Sequence, residues 1–219
     1  MKKFPQRNRR SSAFSLIELL VVMAIFAILT AATLPALRGT LDGYNISGAA
    51  DLAGAEFALA RQTAVSRNLP VEVRIYRYDD GTGEAWRGLG LVIRHDDNNP
   101  AMDEWIARGK VLPGNIFFQD SGEFSTIVSE ATPTTVPRKA TEAGTAPGFL
   151  KNRDYVAFRF QPDGSTNLPS RLPNGDLPAW CLTLVSPRSQ PEAGAPAANY
   201  VAIVLDSLTG RSMTFQPGI

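Results

Sequence analysis

The amino-acid sequence predicts an α+β fold in which a long amino-terminal helix packs against an antiparallel β-sheet. The run Leu16–Leu34 is apolar for nineteen residues apart from Glu18 and two threonines. Beyond it, small apolar residues recur at spacings of three and four, as on one face of a helix. From residue 71 onwards, short segments alternate apolar and polar residues between turn residues, which is typical of strands with one buried face. These patterns favour one globular domain with an amino-terminal appendage.

The first thirteen residues form a basic leader with five lysines and arginines and no acidic residue. The rest of the chain has 17 basic and 21 acidic residues, a net charge of −4, and so lacks a general attraction to nucleic-acid phosphates. A single cysteine and a single histidine leave no ligand set for zinc. We therefore expect no metal and no other cofactor.

The apolar run is long enough to cross a bilayer, because nineteen helical residues extend over about 28 Å. We predict one membrane span at about residues 16–37, with the basic end in the cytoplasm and the carboxyl-terminal domain on the other side. Two simpler interpretations are an uncleaved signal anchor and a secretory signal cut near Ala32 or Ala36. Neither explains Glu18, since a lone carboxylate is unfavourable in hydrocarbon.

The segment Ser12-Ala13-Phe14-Ser15-Leu16-Ile17-Glu18-Leu19-Leu20-Val21-Val22 resembles the processing motif of type IV prepilins and type II secretion pseudopilins. The resemblance implies that a prepilin peptidase and methyltransferase cuts between Ala13 and Phe14 and methylates the new amino group of Phe14. Ala13 stands where the family usually has glycine. The resemblance also implies the inner membrane and other pilins or pseudopilins as partners.

Glu18 and Phe14 are then the expected assembly residues. Cleavage places a positive amino group four residues, about 6 Å of helix, from the Glu18 carboxylate. Pairing of these charges, within one chain or between neighbouring subunits, would offset the cost of burying both. Pro35 is expected to kink the helix near the end of the span.

The helix is predicted to occupy residues 14–68, with a flexible neck at three glycines between residues 39 and 48. Amphipathic patterning resumes at Ser47, and Asn68 and Pro70 end the helix. The predicted buried stripe consists of Ala49, Ala53, Phe57, Ala60 and Ala64.

The globular domain is predicted to span residues 69–219. Turns are expected at Pro162-Asp163-Gly164 and at Thr209-Gly210. Two segments, Ser129–Gly148 and Pro187–Ala198, are predicted to be flexible surface insertions because of their polar, proline-rich composition. The predicted strands are Val71–Tyr76, Leu89–Arg94, a strand near Ile106–Val111, Ile116–Phe118, Tyr155–Gln161, Trp180–Val185, Tyr200–Leu205 and Ser212–Phe215.

This domain resembles the GspH/FimT class of minor pseudopilins, and most closely the Verru_Chthon cassette protein D family. The resemblance rests on the segments Ala60–Asn68 with Val71–Val73, Ala157–Phe160, Phe160–Ser165 and Asp206–Arg211. Some members of the GspH/FimT class bind DNA through Gly-Arg-x-Arg near the carboxyl end. The matching stretch is Gly210-Arg211-Ser212-Met213, which lacks the second arginine, so we expect Arg211 to hold a hairpin end and nucleic-acid binding to be the alternative.

Other candidate sites have simpler interpretations. His95 is expected at a surface strand end, since no nucleophile motif accompanies it. The acidic stretch from Asp96 to Glu104 offers oxygen ligands for calcium but lacks the EF-hand spacing, so a solvated turn is favoured. Cys181 is expected to be a small buried apolar residue in a strand.

These resemblances imply a minor pseudopilin, which is a structural subunit of a type II secretion or type IV pilus-like filament and not an enzyme. One alternative is a DNA-binding minor pilin for DNA uptake. Another is a membrane-anchored extracytoplasmic binding module or hydrolase, which would stay uncleaved at Ala13.

Overall fold

The protein has an α+β fold, with one long helix followed by an antiparallel β-sheet, as the sequence predicts. The structure, a computed structural model, describes residues 15–79, 81–96, 99, 102–129, 148–151, 153–172, 175, 177–189, 197 and 199–216, without the side chains of residues 32–40. The helix α1 covers Leu16–Arg67. The strands are β1 (Val71–Asp79), β2 (Glu84–Ile93), β3 (Glu104–Trp105), β4 (Lys110–Val111), β5 (Phe117–Phe118), β6 (Tyr155–Phe160), β7 (Trp180–Val185), β8 (Tyr200–Leu205) and β9 (Ser212–Phe215).

The chain forms two compact units, which divide between Leu41 and Asp42 within α1. In the second unit the predicted stripe of small residues is confirmed, because all five of its side chains are at most 1% exposed. Phe57, the one large member, packs edge-on against Phe158 with ring centroids 5.6 Å apart. Small residues on either side of it let the helix backbone approach the sheet closely.

The carboxyl end of α1 lies where the sequence predicts it. Asn68 adopts a left-handed conformation with φ of 53°. The N–H of Leu69 donates to the carbonyl of Ala64 at 3.3 Å, so the helix ends in a Schellman motif. Pro70 follows and cannot continue the helix.

The sheet has the strand order β6-β1-β2-β5-β7-β8-β9, and β3 and β4 also pair with β2. All described pairs of neighbouring strands are antiparallel: Val73 of β1, for example, lies between Leu91 of β2 and Phe158 of β6. These three apolar side chains are among those that form the main core with the α1 stripe.

The expectation that β1 has only one buried face is wrong. Glu72, Arg74 and Tyr76 alternate with the core residues, yet they are 5%, 0% and 1% exposed. The other face of the sheet is covered here by Trp105 and by Leu150, which pack with Tyr76 in a second, smaller apolar cluster. Alternation in the sequence identifies two faces but does not reveal that distant segments cover the polar one.

The strand predicted near Ile106–Val111 is also incorrect as a single element. β3 pairs with the carboxyl end of β2 and β4 pairs with its middle, and residues 106–109 between them are not in a strand. The two predicted turns are confirmed: Gly164 and Gly210 have φ of 85° and 61°, values that favour glycine.

The predicted insertions fall mostly outside the described residues, which exclude 130–147, 190–196 and 198. Their described ends form two short 3-10 turns, Gly148–Leu150 and Pro187–Ser189. Leu150 is fully buried and Ala197 is 5% exposed, so these described residues are part of the folded domain.

Candidate functional site

The helix α1 begins immediately after the predicted processing position. Ser15 is its N-cap residue, because its side-chain oxygen accepts a hydrogen bond from the N–H of Glu18 at 3.2 Å. Ser15 and Glu18 have the Ser-x-x-Glu spacing of a capping box, and a carboxylate in the first turn also interacts favourably with the helix dipole. The position of Glu18 therefore also favours the start of the helix. Ala13 and Phe14 lie outside the described residues.

The first part of α1 presents apolar side chains to its surroundings on all sides. Its large apolar residues between Leu16 and Leu29 are 44% to 85% exposed. Among the described residues, no helix is both long enough and apolar enough to span a membrane. The predicted span, about residues 16–37, lies partly outside the described side chains, and the side chain of Pro35 lies wholly outside them. The span and the kink therefore stay predictions.

A second notable region lies in the folded domain, where α1 meets two turns that are far apart in the sequence. Arg61 of α1 donates from its Nε to the carbonyl of Gly164 at 3.2 Å and to the carbonyl of Thr209 at 2.9 Å. A side chain at position 210 would collide with the carbonyl of Gly164, so the two turns are in close contact. Three of the segments that carry the second sequence resemblance thus meet at one place.

A groove of about 1050 Å³ lies beside this junction. The helix lines it with residues between Ala58 and Ser66, and the β8–β9 hairpin lines it with Asp206 and with Thr209 to Met213. Asp163 accepts hydrogen bonds from both the hydroxyl and the N–H of Ser165, and these bonds lower the pKa of its carboxyl group. Backbone N–H groups of the turn, chiefly that of Leu208, likewise lower the pKa of Asp206. Both carboxylates are therefore ionised, and each accepts hydrogen bonds from residues of its own turn.

Arg211 does not hold the hairpin end with its side chain. Among the described residues its guanidinium makes no hydrogen bond and no ion pair within contact distance, although its carbonyl accepts a bond from the N–H of Asp206 at 2.9 Å. Arg61, which sequence reasoning did not single out as a site residue, fastens the hairpin instead. An arginine on the helix at the edge of the buried stripe was the available signal for it.

Sequence reasoning also missed a buried ionic network on the outer face of β1. Arg74 is fully buried, pairs with Glu72 at 2.6 Å and with Asp103 at 3.0 Å, and stacks on the rings of Trp105 and Tyr155. Burial opposes the charge of Arg74, but Glu72 and its other neighbours raise the pKa above its ordinary value. Burial raises the pKa of Asp103, in spite of Arg94 and Arg74 beside it. This arrangement holds the segment around Asp103 and Trp105 on the sheet and exposes no reactive group.

The remaining candidates form no catalytic or metal site in the described chain. His95 lies 3.5 Å from Glu104, which also pairs with Arg67. Asp97 and Asn98, part of the possible calcium ligands, lie outside the described residues, and the described ones hold no group of three metal-ligating side chains. Cys181 is a half-buried free thiol whose sulfur donates to the carbonyl of Phe124 at 3.4 Å.

Comparison with known proteins bears on the amino terminus. Residues 8–34 match the prokaryotic N-terminal methylation motif. No curated protein and no solved structure that was compared matches the chain. The matched residues include the predicted cleavage position, Ser15 and Glu18. The amino terminus therefore carries a prepilin-type methylation motif, which supports a type IV prepilin-like protein.

Proposed function

We propose that the protein is a minor pseudopilin of the GspH/FimT class, close to the Verru_Chthon cassette protein D family, and serves a type II secretion or type IV pilus-like filament. The observation that carries the proposal is the methylation motif at residues 8–34, followed by a helix whose apolar side chains are exposed. Exposed apolar surface of this extent is typical of segments that contact lipid or other proteins.

In this proposal the protein is stored in the inner membrane as a single-pass protein. Its amino terminus is cytoplasmic and its β-rich domain is periplasmic, because the basic leader precedes the apolar helix. On assembly, the apolar part of α1 exchanges lipid for the corresponding helices of neighbouring subunits. Among the described side chains, none of the apolar residues from Leu16 to Leu29 belongs to the core of the folded domain.

Processing is proposed to occur between Ala13 and Phe14. The N-cap at Ser15 supports this position, since the helix begins two residues after the bond to be cut. The amino group of Phe14, once methylated, lies close in sequence to Glu18. We propose that Glu18 of one subunit neutralises this amino group of its neighbour, and that Pro35 kinks the helix beyond the span.

A structural, non-enzymatic role is consistent with the chemistry of the domain. Its buried charges pair with one another, as in the network around Arg74. DNA binding is less well supported, because the stretch Gly210-Arg211-Ser212-Met213 lacks the second arginine and the chain after residue 13 has a net charge of −4. A protein with this charge has no general attraction to a phosphate backbone.

The proposal is tested by mass spectrometry of the amino terminus of the protein isolated from its native membrane. We expect N-methylated Phe14 as the first residue. An Ala13→Gly variant provides the control: it restores the usual residue before the cut and should give the same product, at least as fast. An intact Met1 terminus, or a terminus near Ala36, would reject the pseudopilin assignment.

A further inference from the structure

The two edges of the β-sheet differ in how their backbone groups are satisfied. At the β6 edge, the N–H of Arg159 donates to Oδ1 of Asn167 at 2.7 Å, and the N–H of Asn167 donates back to the carbonyl of Arg159 at 3.0 Å. Thr166 adds a bridge to Phe160. A neighbouring segment therefore covers this edge at Arg159 and Phe160. At the opposite edge, β9 pairs with β8, and no described segment lies on its other side.

The ladder indicates which groups of β9 are left open. The N–H of Asp206 donates to the carbonyl of Arg211, and in the register of the hairpin Val204 lies opposite Met213. Because hydrogen-bonded and non-bonded pairs alternate in an antiparallel ladder, Met213 and Phe215 bond to β8. The backbone N–H and C=O groups of Ser212 and Thr214 therefore point away from the sheet.

The composition of β9 does nothing to protect this edge. Natural edge strands are usually blocked by charged side chains, proline or bulges. The strand Ser212–Phe215 contains no charge and no proline, and it pairs with β8 in an unbroken register. Met213 and Phe215 are 66% and 58% exposed, so apolar side chains accompany the open backbone.

The groove beside α1 adjoins this edge and could hold one more strand. An added strand of four residues would be about 13 Å long. On the helix side it would meet Ala58, Gln62 and Val65, all of which are exposed in the described structure. Half of the Val65 surface is accessible, which provides an apolar contact for one face of the strand.

Charge identifies a further property of the occupant. The guanidinium of Arg211 makes no hydrogen bond and no close ion pair among the described residues, and it interacts with the Asp206 carboxylate only at longer range. The carboxylates of Asp163 and Asp206 accept hydrogen bonds from their own turns. A ligand that brings a carboxylate to this end of β9 would give the Arg211 guanidinium a hydrogen-bonded partner. An extended segment with alternating apolar residues and one terminal acid has the required chemistry.

We propose that β9 is a strand-addition site for an extended segment of a partner protein, which pairs with Ser212 and Thr214 and places an acidic side chain on Arg211. The mode is β-augmentation, in which main-chain bonds give affinity and alternate side chains give specificity. This proposal goes beyond the proposed function and does not depend on cleavage at Phe14.

The test uses the unprocessed full chain in detergent and a phage library of random ten-residue peptides as the probe. We expect enriched peptides that alternate apolar and polar residues and carry an acid near one end. Synthetic versions should slow amide hydrogen exchange at Ser212 and Thr214. The absence of enriched peptides, or exchange that is unchanged at both positions, would overturn the proposal.

Variants locate the binding. Thr214→Pro removes an outward N–H without removing a bond to β8, and it should weaken binding at least tenfold. If Thr214→Pro unfolds the domain, Thr214→Lys blocks the edge with a charge instead.

The charge preference is tested separately. Arg211→Glu should change the preferred residue at the end of the peptide from an acid to a base. Leu208→Ala, at an exposed position outside the groove, should leave peptide binding unchanged. Binding that survives both edge variants, or self-association of the chain through β9 in place of peptide binding, would contradict a partner segment at this edge.

Discussion

The two parts of helix α1 use their apolar residues in opposite ways. From Leu16 to Leu29, large apolar side chains occur on every side of the helix and are exposed, as Leu16 and Phe26 show at 85% and 62%. After Leu41, small apolar residues form one stripe that is buried, and Phe57 in that stripe is 1% exposed. Apolar content therefore does not by itself identify a core segment; the size and arrangement of the residues do. The first part has the composition of a helix that needs another partner.

The largest difference in domain stability between substitutions in the two parts is expected when one phenylalanine in each is replaced by alanine. Phe57→Ala should destabilise the domain by about 3–5 kcal/mol, because it removes a buried ring and leaves a cavity next to Phe158. Phe26→Ala should leave the unfolding midpoint unchanged. Urea unfolding of the full chain in detergent, followed by tryptophan fluorescence, measures both. Equal effects would mean that the first part of α1 contributes to the core.

Enlarging small residues gives the second test. Ala60 is fully buried, so Ala60→Leu should overpack the interface between helix and sheet and cost about 1–3 kcal/mol. Ala27 is exposed, and Ala27→Leu should be neutral for the domain. Thermal melting of the two variants separates the cases. A neutral Ala60→Leu variant would show that the stripe tolerates added volume and is not close-packed.

Arg61, in the second part of α1, stabilises the turns at Gly164 and Thr209 through its hydrogen bonds. Arg61→Ala should cost about 1.5–3 kcal/mol, the usual range for hydrogen bonds from a charged donor. Arg61→Gln keeps much of the side chain and should recover part of this loss. Faster amide exchange at Gly164 and Gly210 in Arg61→Ala would locate the effect, and unchanged exchange there would contradict it.

The smallest effect is expected at the start of the helix. Ser15→Ala removes the N-cap and should cost about 1 kcal/mol of local helix stability, with no change in the melting of the domain. Ser15→Asp, which keeps a capping oxygen, is the matched control. Hydrogen exchange of the amides from residue 16 to residue 19 measures the fraying. Equal exchange in the alanine and aspartate variants would show that Ser15 does not cap the helix.

Much of the fold could be predicted from the sequence because local patterns determine it. The buried stripe from Ala49 to Ala64 follows from helical spacing, and the end of α1 follows from Asn68 and Pro70. The split between β3 and β4 could not be predicted in the same way, since it depends on where each strand pairs with β2, which is an earlier segment of the chain. The burial of Glu72 and Arg74 also depends on Asp103, which lies about thirty residues further along the chain.

The candidate functional sites were likewise predictable only where they lie within one continuous segment of the sequence. The amino-terminal motif is a continuous sequence, so the expectation of a prepilin-like protein could be formed from the residues alone. The junction at Arg61 needs three segments separated by about a hundred and fifty residues, and spacing within one segment does not reveal it. Arg211 was selected through a family motif, whereas the contacts of the hairpin assign the fastening role to Arg61.

The central claim is that the first part of α1 serves assembly and the second part serves folding. Glu18→Ala tests it most directly, in cells that contain the partner pilins, with crosslinking to those partners as the measurement. We expect the variant to be processed, retained in the membrane and folded with the melting temperature of the wild type, yet excluded from filaments, because the amino group of Phe14 meets no carboxylate on its neighbour. Undiminished crosslinking to the partner pilins would contradict the claim.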